Sequence, residues 1–330
     1  MMARTLPLML LLVSACAAPG RMGADGASSR PILDENDLWG TVPAEADLVL
    51  WADMAKLRSS PWTRDSFAKV AAGGPADADP RFDLIRDFDR VIFAKVPSFR
   101  DGASVLIAQG DIDREGMSRA FSKDRGESVA TSYRGAGLLV HGDEALAFLG
   151  QRTVISGLTL AVRAAIDCNF GVARTIESET WFGQLRRELE HGRDATTMVT
   201  ALYIHLQPAT REALVREMGE GGSVEDFAGR VDLTADLHAT AIGVVHTAAE
   251  ARDLAARLTE LLRNARVRPS VEAFGFGGVI ESVRLRAEAT RVFGELAISA
   301  NERAEIVRRM AIVADTMAAM RKSTEEKNTP

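Results

Sequence analysis

Beyond Val13, no stretch of this chain approaches the roughly 18 consecutive apolar residues that could cross a bilayer as a helix. Its apolar side chains must therefore be buried against one another, and their spacing restricts how. Over short segments they alternate with polar ones, the period of a strand. Residues 47–54, 88–96, 103–110, 129–133, 136–141, 145–149 and 198–206 read this way. Residues 230–245 read as a long strand or hairpin, and 279–287 as a strand leading through a hairpin at 288–290 into 292–298.

Between the strands the period becomes helical. Asp113 can cap a helix that buries Met117, Ala120 and Phe121, and Pro208 suits the first position of a helix running to Met218. Residues 156–167 and a stretch near 181–191 also read as helices. Thr247 and Glu250 form a capping box for a helix with Leu254, Ala255, Leu258, Leu261 and Leu262 on one stripe. A second box, Ser299 and Glu302, opens a helix to about Met320. Strands joined in hairpins and crossed by helices imply an α+β fold, a mainly antiparallel sheet with helices packed on one face. Ser156 and Ser299 stand at similar strand-to-helix junctions, which suggests a diverged two-fold repeat: residues 39–195 and 196–320, with a frayed tail at 321–330.

The charge balance narrows the partners. Lys and Arg number 40, Asp and Glu 46, and the two signs are interspersed. No basic stripe marks a nucleic-acid surface, so none is expected as a partner. Of the two cysteines, Cys168 sits in Ala-Ile-Asp-Cys-Asn-Phe, with no base or cationic group beside it to activate a thiolate. It reads as a small buried hydrophobe.

The other cysteine lies at the start. Arg4 precedes an apolar run from Leu6 to Val13, broken only by Pro7, and small residues lead to Cys16. The run is about half the length of a spanning helix and reads as the core of a secretory signal over residues 1–15. Val13-Ser14-Ala15-Cys16 resembles the lipobox of bacterial lipoproteins, with Val in place of the commoner Leu. The resemblance implies that Cys16 becomes the acylated first residue of an exported protein, carrying a diacylglyceryl and an amide-linked chain such as palmitate. Residues 16–38, rich in Ala, Gly, Ser and Pro, then form a tether with a reach of about 25 Å. Residue 17 is Ala rather than the Asp that favours inner-membrane retention in such proteins, so the resemblance points to the outer membrane. Further on, Val42-Pro43-Ala44-Glu45-Ala46-Asp47 is similar to the start of a group of uncharacterised exported bacterial proteins, which have no function to transfer.

Catalytic patterns are weak. Asp232, Asp236 and His238 fall on one face of a strand and form the best polar cluster, a metal or base arrangement in principle and a solvated strand face more simply. Phe274-Gly-Phe-Gly-Gly278 reads as a turn, because a phosphate loop needs a helix after it and a strand is expected there. Trp39, Trp51, Trp62 and Trp181 read as core residues, although they could line a groove. No catalytic, cofactor or metal site is assigned. The expectation is a membrane-anchored, non-enzymatic binding module with an envelope protein partner. The alternatives are a periplasmic carrier of a small or lipidic ligand and an envelope enzyme without a recognisable motif.

Overall fold

A computed structural model describes residues 38–63, 87–97, 103–123, 128–218, 224–269, 271, 276–306 and 308–309. The expected signal, lipidation site and frayed tail lie outside these residues, as does the expected tether up to residue 37, while Leu38 is already buried in the fold. The described chain opens with a 3-10 turn, Leu38–Thr41, strand β1 (Leu48–Asp53) and helix α1 (Met54–Ser59). Alternation in β1 buries Val49, Trp51 and Asp53. The Asp53 carboxylate then accepts the amide of Lys56 at 2.9 Å, which turns strand into helix.

Next come β2 (Phe88–Val96), β3 (Ala103–Gly110), α2 (Arg114–Lys123), β4 (Val129–Tyr133), β5 (Ala136–His141), β6 (Glu144–Leu149), β7 (Thr153–Leu158) and α3 (Thr159–Asn169). They are followed by α4 (Thr180–Glu190), β8 (Met198–His205), α5 (Pro208–Met218), β9 (Asp226–Leu233), β10 (Leu237–Val244), α6 (Ala248–Arg266), α7 (Gly277–Ser282), β11 (Arg284–Glu288), β12 (Arg291–Ile298) and α8, helical over 300–306.

The chain divides into two compact units: Met1–Ala46 with Ser66–Ser178, and Asp47–Asp65 with Glu179–Pro330. In the first, the strand order is β2-β3-β7-β6-β5-β4. Every pairing in it is antiparallel. Arg134 and Gly135, both at positive φ, make the tight turn between β4 and β5. Successive residues such as Leu138 and Leu139, or Val154 and Ile155, are both buried, so both faces of these strands are covered. Met117 and Phe121 of α2 pack with Leu139, Leu146, Val154 and Phe88. The buried stripe of α3 (Ala161, Val162, Ala165 and Ile166) packs against β3, β6 and β7. The Val42–Ala46 motif is tied to the chain after α3: Ala44 donates to the Arg174 carbonyl at 3.1 Å and Ile176 to that of Val42 at 2.9 Å.

In the second unit the order is β1-β8-β9-β10-β12-β11, again antiparallel. Phe182, Leu185 and Leu189 of α4 are buried, with Phe182 4.7 Å from the ring of Tyr203 on β8. On the opposite face of β12, Ala251 and Leu254 of α6 pack on Val292 and Val245.

The α+β class and the antiparallel pairing are as expected, and the helical layering is fuller than one face in each unit. The unit boundary is not at 195/196: β1 pairs with β8, and α4 packs on β8, β9 and β10, so both belong to the second unit. The strand orders also differ, with the third to sixth strands running back in reverse in one unit and only the last two exchanged in the other, so the topology does not reproduce the expected repeat. Ser156, half of the evidence for that repeat, lies inside β7, and α3 begins three residues later without a side-chain cap. Ser299 does cap: its hydroxyl accepts the Glu302 amide at 3.2 Å, and the Glu302 carboxylate accepts the Ser299 amide at 2.7 Å. Residues 279–282, expected to be extended, belong instead to the helix Gly277–Ser282, and the strand is only Arg284–Glu288.

Cys168 is fully buried, and its thiol donates to the Arg174 carbonyl at 3.2 Å. Burial, then the charges of Glu45 and Asp167, push the thiol up to about 12. Iodoacetamide at pH 8 is expected to leave Cys168 unmodified in the native protein and to alkylate it in denaturant; fast native labelling would show an open site. Gly157 on β7 has φ +149, and a Cβ there would meet the Ser104 carbonyl oxygen at 2.3 Å. Gly157→Ala should lower stability by about 1–3 kcal/mol in denaturant titration, the range for a strained backbone position.

Candidate functional site

Asp232, Asp236 and His238 are all on the β9–β10 hairpin, but their carboxylates do not converge. Asp232 stands opposite His238 in the ladder, on one face. Its oxygens are taken by Arg230, two residues earlier on the same strand, whose Nε lies 2.8 and 2.9 Å away. Thr197 adds its hydroxyl at 2.9 Å. Asp236 sits in the turn and accepts the amide of Ala300 at 3.0 Å, capping α8. His238 is exposed. No group of three His, Cys, Asp or Glu side chains that could hold a metal ion occurs among the described residues.

Arg230 was not singled out from the sequence, yet its side chain is fully buried. It also donates to the Asp194 carbonyl, so the pair ties the loop before β8 to β9. Among the described residues its Nη1 has no hydrogen-bond partner. The signal was present: on a strand with period two, Arg230 and Asp232 share the buried face. A buried charge persists only when it is paired, which makes this a structural lock.

Trp62 belongs to a second clasp. Its indole donates to the Ala235 carbonyl at 3.2 Å, and the Arg303 guanidinium lies 5.3 Å from its ring. Arg303 also donates to the carbonyl of Pro61. Trp39 and Trp51 are buried, as expected of core residues. Trp181 stacks on His205 at 5.4 Å, and His205 Nδ1 is 2.6 Å from the Asp226 carboxylate.

A concavity runs along one face of α5. Its volume is about 560 Å³, and Pro208, Arg211, Glu212, Val215, Arg216 and His246 line it. These positions recur at helical spacing, with His246 contributed by the connection after β10. Arg211 is held by Glu225 at 2.6 Å, and His246 approaches the same carboxylate at 3.5 Å. Asp226 and Glu225 are successive residues, so the His205 pair and the Arg211 pair point to opposite faces. The trough is open, of mixed charge, and holds no nucleophile beside a base. The glycine-rich segment does lead into a helix, α7, but that helix is six residues long and no strand is described before it.

Asp232→Ala would leave the Arg230 cation buried and uncompensated, and removing one member of such a pair costs about 3–5 kcal/mol. A thermal melt should drop steeply for this variant, whereas His238→Ala at the exposed cross-strand position should leave it nearly unchanged; equal effects would contradict the assignment of Asp232 to the lock.

No protein-family model and no curated protein matches the chain. Among solved structures the fold is similar to that of TP0453 in crystal form III, with a TM-score of 0.51, 13% identity, and coverage of 83% of this chain and 98% of that one. Crystal form I of TP0453 aligns at a TM-score of 0.48 and 15% identity over 84% of this chain and 98% of that one. The likeness to crystal form III establishes a shared fold.

Proposed function

We propose that this chain is a lipid-anchored protein of the bacterial cell envelope whose α+β units bind an envelope partner. The observation that carries the reading is Val13-Ser14-Ala15-Cys16 directly behind a short apolar run. A lone acyl chain holds a protein only marginally, and two or more hold it stably, so modification at both the thiol and the amine of Cys16 suits permanent anchoring. No described helix is long and apolar enough to cross a membrane. With Ala at residue 17, the outer membrane is the proposed destination. What supports binding over catalysis is that the two carboxylates singled out from the sequence are engaged structurally, Asp232 in the Arg230 lock and Asp236 in the α8 cap.

Intact-mass analysis of the full chain expressed in a bacterium should show a product beginning at Cys16 with added diacylglyceryl and acyl mass, partitioning into detergent. Cys16→Ala should abolish both. Equal partitioning of the variant and the wild type would overturn the anchor. Cross-linking in native membranes should capture an envelope protein that is lost when the folded units are deleted and the anchor kept; no such partner would overturn the binding role.

A further inference from the structure

Strand β4, Val129-Ala-Thr-Ser-Tyr133, ends the strand order of its unit. No described strand pairs with its outer side, and Val129 is 64% exposed. An open edge presents unpaired amides and carbonyls to any incoming strand, and proteins usually guard such edges with charge or proline. In the second unit the terminal strand β11 is guarded: it reads Arg-Leu-Arg-Ala-Glu, and Arg284, Arg286 and Glu288 are exposed. β4 carries neither charge nor proline.

One face of β4 is flanked by α3. The Tyr133 hydroxyl donates to Asp167 of α3 at 3.0 Å, and Arg163 of α3 lies 5.3 Å from the Tyr133 ring. Val129 and Thr131 share the Tyr133 side of the strand. The edge therefore has two distinct ends. Exposed Val129 makes one end aliphatic. At the other, Arg163 has no carboxylate partner among the described residues, while Arg134 shares Asp167 with Tyr133. Two guanidinium groups against one carboxylate leave that end positive.

We infer that an extended segment of a partner polypeptide docks here by adding a strand to β4, with an aliphatic side chain against Val129 and a carboxylate against Arg163 and Arg134. Strand addition beside a flanking helix is a known mode of peptide capture, with main-chain bonds supplying affinity and alternate side chains specificity. Val129 and Tyr133 are four residues apart, so the partner's aliphatic and acidic residues are four apart as well. This rests on the envelope-module reading and names the surface that module uses.

The test is fluorescence anisotropy of the full chain with a labelled peptide, Thr-Glu-Thr-Val-Thr-Val-Thr. Saturable binding is expected, weakened about tenfold or more when the peptide Glu is replaced by Lys, and equally by Arg163→Glu or Val129→Asp. Both variants change exposed side chains, and unchanged circular dichroism confirms their fold. No saturable binding, or binding indifferent to both variants, would overturn the proposal. In native membranes, a cross-linked partner retained by Arg163→Glu would overturn the β4 site and leave the module reading intact, whereas no partner with the wild type would overturn the module reading itself.

Discussion

The second unit depends on a pairing between residues far apart in the chain. β1 lies against β8 with Trp51 opposite Ala201 and Leu48 opposite Ile204. The Thr200 hydroxyl reinforces the pairing, donating to the Trp51 carbonyl at 2.7 Å across 149 positions. Lys56 adds a bond from its ammonium to the Met198 carbonyl at 3.1 Å. Register here is not free to drift. Val49, Trp51 and Asp53 are the buried set, and a slip of one residue would exchange them for Leu48, Leu50 and Ala52 on the other face. Because the loop must close before these contacts form, folding of the second unit waits on a distant contact.

The Arg230–Asp232 lock sits two strands from β1, on β9. Desolvating two charges is costly, and an apolar pair of similar volume is often at least as stable. What the ion pair adds here is direction. Arg230 reaches the Asp194 carbonyl and Asp232 receives the Thr197 hydroxyl, so the chain entering β8 is held at one point over β9. Asp194 completes the turn by accepting the Thr196 amide at 2.8 Å, which holds its own carboxyl below the usual range. Apolar packing fixes a layer, while this network also fixes where the loop from α4 enters the ladder.

Local signals in the sequence were readable wherever one face or one cap decides the structure. The strands at 88–96 and 103–110, the caps at Asp113, Thr247 and Ser299, and Pro208 at the start of α5 follow from period and end chemistry alone. In one box the Glu250 carboxylate accepts the amide of His246 at 3.1 Å. The failures are tertiary. Nothing local says that residues 48–53 pair with 198–205 across an intervening unit, so the boundary was misplaced. Residues 279–283 alternate in a way that suits either a strand or one turn of a helix, and a short apolar run cannot separate the two. Asp232, Asp236 and His238 do fall on one hairpin, but the sequence reading of them left out Arg230, the partner that neutralises Asp232.

Anchoring at Cys16, as proposed above, would change what the β4 edge must achieve. Five residues of added strand bury less surface than a stable complex between free molecules requires. On one membrane the search is no longer three-dimensional. Confinement raises the effective concentration of a membrane-bound partner, and avidity can gain orders of magnitude without any new contact. A short, uncharged edge is then an advantage: it holds a partner while both are anchored and releases it when either leaves. The same edge on a soluble protein would be a liability, open to any free strand in solution. The charge at Arg163 and Arg134 limits that risk by repelling cationic segments and favouring acidic ones. An unguarded edge with a selective end therefore fits an anchored protein better than a diffusing one, in line with the anchor proposed from Val13-Ser14-Ala15-Cys16.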